Sequence, residues 1–141
     1  MANWSVEVEG LTRTFGNFVA VDHISFRVRA GQIFGFLGPN GAGKSTTIRM
    51  LTGILAPTSG TGRVARFDIR TERQQIKQAI GYMSQKFSLY EDLTVRENLA
   101  FFAGVYGATD LDWAIRVCRL QEVLHSICSS LSAGLRQRAA L

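Results

Sequence analysis

The chain has 141 residues and a mass of 15.5 kDa, a length that fits one domain and would bury about 70% of its unfolded surface if complete. Hydrophobic residues make up 46% and charged residues 19% of the sequence, which excludes a disordered or tail-like chain. The net charge of +5 and pI of 9.8 raise the question of a nucleic-acid partner. The basic residues are nevertheless scattered from Arg13 to Arg138 without a run, so a solvated, Arg-rich surface is the simpler reading and no specific nucleic acid is expected.

Apolar stretches such as Ile33–Leu37 and Leu99–Ala103 are far shorter than the roughly 20 residues that cross a bilayer. The N-terminal residues lack a basic region followed by an apolar run, so the expected compartment is the cytoplasm. Cys118 and Cys128 form no C-x-x-C pair and read as plain thiols.

Trp4, Val6 and Val8 alternate with polar residues, as do Ile24, Phe26 and Val28 beyond a turn-like Phe15-Gly16-Asn17. Both segments read as half-buried antiparallel strands. Gln32–Leu37 is a short apolar run between Gly31 and Gly38, which predicts a central strand buried on both faces. From Lys44 to Leu55 the residues Ile48, Leu51, Ile54 and Leu55 recur at helical spacing, and Pro57 and Gly60 close the segment.

Thr71-Glu72-Arg73-Gln74 has the form of a capping box and predicts a short helix from about residue 72. Ile80–Ser84 reads as a brief strand. A second capping box, Thr94-Val95-Arg96-Glu97, predicts a helix running to about Tyr106 and stopped by Gly107. Asp110–Leu120 and Gln121–Ile127 read as one broken helix or two short ones.

Gly38-Pro39-Asn40-Gly41-Ala42-Gly43-Lys44-Ser45 satisfies G-x-x-x-x-G-K-[ST] at every fixed position. Its glycines allow successive backbone N–H groups to turn inward toward phosphate oxygens, and a helix beginning at Lys44 adds the positive end of its dipole. Lys44 is expected to reach the β- and γ-phosphates, Ser45 to ligate Mg²⁺ and Thr46 to bond the α-phosphate. The alternative is a glycine-rich turn with an exposed lysine. A nucleoside triphosphate is the expected ligand.

Three further stretches carry a family resemblance. Leu131-Ser132-Ala133-Gly134-Leu135-Arg136-Gln137-Arg138 resembles the L-S-G-G-x-x-Q-R signature of ATP-binding-cassette (ABC) proteins, with Ala133 at the first glycine. Phe15-Gly16 stands where that family carries its adenine-stacking aromatic, and Gln85 where it has its Q-loop glutamine. The segments Gly81–Leu99 and Phe101–Gly107 look most like the ATPase subunits of bacterial multidrug or antibiotic exporters. No N-K-x-D guanine-reading motif occurs.

The resemblance implies an α/β phosphate-loop fold with a mixed sheet, a nucleotide-binding subdomain over residues 1–93 and an incomplete helical, signature-bearing subdomain over residues 94–141. It implies ATP and Mg²⁺ as cofactors, with Phe15 stacking on adenine and Gln85 positioning Mg²⁺ or water. Phe15 also fits a plain core position, and Gln85 a solvated loop. Ser132, Ala133, Gly134 and Leu135 would cap the ATP of a second ATPase subunit in a head-to-tail dimer. Phe87, Leu89 and Tyr90 would receive an integral membrane subunit, or form ordinary core. The implied location is peripheral, on the cytoplasmic face of the membrane.

Family hydrolysis also needs four apolar residues followed by Asp and Glu, after the signature. Phe18-Val19-Ala20-Val21-Asp22 imitates this run, but it precedes the phosphate loop and is followed by His23. Asp22 therefore reads as a strand-end or turn residue, and neither His23 nor His125 matches the family's switch histidine. Arg66 stands where the family often has Gly, and the interval from Gln85 to Leu131 is compressed, which implies shortened helices. The expectation is a cassette cut after its signature, inactive by itself and marginally stable, with an apolar strand edge exposed. Three functions stay open: an exporter's ATP-binding subunit, an Mg-ATP binding module without turnover, and a soluble ABC ATPase acting away from membranes.

Overall fold

The computed structural model describes residues 3–83 and 89–141. They fall into two compact units, Met1–Tyr82 and Met83–Leu141.

The first unit is built on an antiparallel hairpin of β1 (Trp4–Phe15) and β2 (Phe18–Arg29), turned at Gly16 with φ 55°. Strand β3 (Ser59–Val64) pairs with the other edge of β1, and the short β4 (Phe67–Asp68) pairs with β3. The order is β2-β1-β3-β4, and each pair is antiparallel. Glycine makes the β1–β3 approach possible. A Cβ on Gly60, whose φ is 81°, would lie 2.2 Å from the Gly10 carbonyl oxygen.

Helix α1 (Lys44–Leu51) packs Met50 onto Val8, Leu11, Val21, Val64, Ile69 and Ile76. It stops at Leu51, short of the predicted Leu55, because Gly53 takes a left-handed φ of 70°. Arg73, opening helix α2 (Arg73–Ala79), then seals this end. Its Nε donates to Gly53 O at 2.8 Å and its Nη2 to Ile54 O at 3.0 Å, placing a cation at the negative end of α1.

Gln32–Leu37 is not a strand: its backbone joins no ladder, and Ile33 and Leu37 are 98% and 94% exposed. A strand buried on both faces needs hydrogen-bonding neighbours and covering layers, which the described residues do not provide. Phe34 and Phe36 instead lie against Phe26 of β2, with centroids 5.3 and 5.6 Å away. Ile80–Met83 likewise forms no strand, and Ser84 lies outside the described residues.

The capping box predicted at Thr71 does not form. Asp68 Oδ1 accepts the N–H groups of Arg70 and Thr71 and the Thr71 hydroxyl, leaving Glu72 as the N-cap residue. Asp22 lies inside β2 rather than at its end, next to His23, with which it pairs. The neighbouring His23 has φ 43°, and its N–H donates to Thr12 Oγ1 at 3.0 Å.

The second unit is helical. Helix α3 (Val95–Tyr106) opens on the predicted Thr94/Glu97 capping box and closes on Gly107 at φ 70°. Helix α4 (Leu111–Val117), with its N-cap at Asp110, is followed by 3₁₀ turns at Gln121–Val123 and Cys128–Ser130 and by α5 (Ala133–Ala139). The broken character read from residues 110–127 is thus present. Val95, Ile115, Leu120, Cys128, Leu131 and Ala139 form this unit's own core.

Candidate functional site

Residues Gly38–Gly43 connect the 32–37 segment to α1. Gly41 and Gly43 have φ values of 85° and 78°, which glycine adopts without steric penalty. Gly43 is required for a second reason: a Cβ there would meet Ala20 O at 2.3 Å and Val21 Cγ2 at 3.0 Å. The start of α1 therefore sits directly on β2.

The first turn of α1 keeps backbone donors without a partner among the described residues. Thr47 N bonds Gly43 O at 2.8 Å, and Thr47 Oγ1 bonds the same oxygen at 3.0 Å. The three N–H groups ahead of it, on Lys44, Ser45 and Thr46, bond no other described residue, and no side chain caps the helix. Such N-terminal donors, with the helix dipole behind them, favour phosphate.

Lys44 folds back over the loop, where Nζ donates to Gly38 O at 2.6 Å and Pro39 O at 2.5 Å. The ammonium thus rests on the loop's own carbonyls. Ser45 is exposed and its hydroxyl bonds no described residue, while Thr46 is half-buried. Pro39, Asn40 and Ala42 form the exposed arch, held by a 3.3 Å bond from Ala42 N to Pro39 O.

Phe15 closes the β1–β2 hairpin opposite Phe18. Gly43 abuts Ala20, two residues further along β2, so the aromatic end lies about 7 Å along the strand from the loop's last glycine. Phe15 is 46% exposed, so it is not a buried core residue. The Arg13 guanidinium carbon lies 4.5 Å from its ring centroid, a contact that sequence reading missed.

Ser132 is the N-cap of α5, its Oγ accepting from Leu135 N at 3.4 Å. Ala133 and Gly134 are exposed and Leu135 is half-buried. These residues belong to the second unit and the phosphate loop to the first. Gln85 and Phe87 lie outside the described residues. Leu89 packs on the second core, whereas Tyr90 is 51% exposed and its ring meets Phe101 at 5.0 Å and Phe102 at 6.2 Å. Asn98, which the sequence did not single out, is fully buried. Its side chain accepts from Tyr90 N at 2.8 Å and donates to Tyr90 O at 3.0 Å.

A family model described as ABC transporter matches residues 21–141. The chain belongs to the ABC transporter family. Among curated relatives it is 48% identical to "Probable multidrug ABC transporter ATP-binding protein YbhF" of Escherichia coli (strain K12), over 96% of this chain and 25% of that one. It is 34% identical to the bacitracin transport ATP-binding protein BcrA of Bacillus licheniformis, over 96% of this chain and 45% of that one. The chain thus spans less than half the length of these relatives.

Among solved structures, the ATP binding subunit of an ABC transporter superposes with a TM-score of 0.78 at 28% identity, over 96% of this chain and 59% of that one. The cbiO1 protein of Clostridium perfringens, part of the ABC transporter complex cbiONQ, gives a TM-score of 0.85 at 24% identity, over 98% of this chain and 59% of that one, a likeness of fold. This ABC transporter chain is therefore an α/β ATP-binding cassette fold. No helix among its described residues is long and apolar enough to cross a membrane.

Proposed function

We propose that this chain supplies the phosphate-binding part of the ATP-binding subunit of an exporter, with residues 1–93 holding the nucleotide and residues 94–141 presenting the signature to a second ATPase subunit. One observation carries the reading: the Lys44, Ser45 and Thr46 N–H groups bond no described residue, and the Lys44 ammonium lies over the same loop. Three backbone donors at a helix N-terminus and a cation suit the β- and γ-phosphates of ATP. Phe15, at the adjoining hairpin end, offers a π-face to the adenine.

The donor set also suits Mg²⁺, a hard cation that takes oxygen ligands and keeps water. Ser45 Oγ would be its protein ligand, together with Gln85 by resemblance. When bound, the ion would neutralise charge between the phosphate oxygens.

The 141 residues contain no apolar run followed by Asp-Glu, so this chain by itself binds ATP without turning it over. In the whole protein, binding closes two subunits head to tail, with Ser132, Ala133, Gly134 and Leu135 against the partner's nucleotide. Tyr90, Phe101 and Tyr106, which are 51%, 44% and 79% exposed, give an aromatic surface suited to anchoring an integral membrane subunit. The complex lies on the cytoplasmic face of the membrane. The relatives named for multidrug and bacitracin transport support export as the task.

Titration with a fluorescent ATP analogue tests the reading. Lys44→Ala removes a charge-assisted contact and should weaken affinity about ten- to a hundredfold. Equal affinity of the two proteins would exclude this site.

A further inference from the structure

Arg13 joins the end of the β1–β2 hairpin to the segment that follows α1. On one side its guanidinium covers a face of Phe15, 4.5 Å from the ring centroid. On the other, Nη1 donates to Ala56 O at 2.8 Å, in the segment leading away from α1. Flanking bonds sew the same segments together: Thr58 N donates to Thr12 O at 2.9 Å, and Thr14 N to Thr58 Oγ1 at 3.0 Å. The Nε atom is buried and bonds no described residue, so the Ala56 bond and the ring contact hold the group.

This arrangement leaves room on the ring. Phe15 stacks on no described ring and keeps 46% of its surface exposed. A cation over one π-face is attracted by the ring quadrupole. It also draws electron density from the opposite face, where a stacked base would otherwise meet like charge. Anchored to Ala56, the guanidinium restrains the ring before a base arrives, so less rotamer freedom is lost on stacking.

We propose that Arg13 is a positioning residue for base recognition, backing Phe15 so that a purine stacks on its free face as the third layer of a cation, ring and base sandwich. The proposal rests on the nucleotide reading above and deepens it: the ligand class is a purine nucleoside triphosphate, and part of its affinity comes through Arg13 without direct contact.

The test is isothermal titration of the 141-residue chain with ATP and, separately, with inorganic tripolyphosphate, which has no base. Arg13→Met should weaken ATP binding about two- to fivefold and leave tripolyphosphate unchanged. Arg13→Lys, which keeps a cation, should recover part of the loss. In a Phe15→Ala background, Arg13→Met should add nothing. Unchanged ATP affinity in Arg13→Met, equal weakening of both ligands, or full additivity with Phe15→Ala would overturn the proposal. If Phe15→Ala itself leaves ATP affinity unaltered, the assignment of Phe15 fails and the proposal falls with it. A loss of tripolyphosphate binding on Lys44→Ala reports separately on the phosphate site.

Discussion

The Cβ that Gly43 lacks would lie 2.3 Å from the carbonyl oxygen of Ala20. The phosphate loop ends where it does because β2 leaves no space for a side chain, and the φ of 78° at Gly43 turns the next residues into α1. One backbone contact therefore positions both the helix N-terminus and the Lys44 ammonium.

Gly43→Ala should consequently be costly. The left-handed backbone alone opposes Ala by about 1–2 kcal/mol, and the clash with a backbone carbonyl adds to that. Urea denaturation should show a lowered midpoint, and the ATP analogue should bind more weakly. A midpoint within error of the parent would show that β2 and the loop can part freely.

Asn98 should be the most sensitive polar position of the helical unit. It is fully buried and, besides its bonds with Tyr90, donates to Thr94 O at 3.0 Å, with Cys128 Sγ 3.2 Å from the same nitrogen. Asn98→Ala strands Tyr90 N, so a loss of about 2–4 kcal/mol is expected, measurable as a shift in denaturation midpoint. Asn98→Asp should not rescue it, because a carboxylate accepts from Tyr90 N but cannot donate to the carbonyls.

The turn between β3 and β4 carries an avoidable strain. Ala65 and Arg66 have φ values of 48° and 73°, the pattern of a two-residue hairpin turn that Asn-Gly fits best. The double change Ala65→Asn, Arg66→Gly should raise stability by about 1 kcal/mol, net of the Arg66 contact with the Phe67 ring at 5.5 Å. An unchanged or lower melting temperature would contradict this.

Acid should fray the start of α3. Glu97 accepts from Thr94 N at 2.8 Å and Thr94 Oγ1 at 2.7 Å, and the Thr94 hydroxyl, then its N–H, hold the carboxyl below its ordinary value. A lowered folded-state value means the stabilisation is full above the ordinary carboxylate range and is lost as pH falls through the folded value. Amide exchange at residues 95–98 should therefore quicken in acid. Glu97→Gln, which does not titrate, should flatten that dependence; an identical acid limb in both proteins would rule out Glu97 as its source.

The residues that were legible in advance share a trait: each acts through its own neighbours in sequence. Thr94 with Glu97, Gly107 after α3, the Phe15-Gly16-Asn17 turn and the Gly38–Ser45 loop are local rules. What escaped depends on distant partners. Strand β3 forms from a glycine-rich run because β1 offers a ladder and Gly60 fits against Gly10. Thr71 lost its capping role to Asp68, a stronger acceptor whose carboxyl is held below its ordinary value first by the Arg70 N–H. Gln32–Leu37 shows the converse, since a strand-like composition makes no strand without neighbours to bond. Arg13 and Asn98 belong to no motif, and only their contacts with Phe15, Ala56 and Tyr90 mark them.

In the proposed function the backbone N–H groups of Lys44, Ser45 and Thr46 hold the phosphates of ATP. Amide nuclear magnetic resonance of the isotopically labelled chain, titrated with Mg-ATP, tests it most directly. Saturable shifts of the Lys44, Ser45 and Thr46 N–H signals are expected, reproduced by tripolyphosphate and, for Ser45 and Thr46, reached in Lys44→Ala only at about ten- to a hundredfold higher ligand concentration. ATP saturation that leaves those three amides unmoved would contradict it.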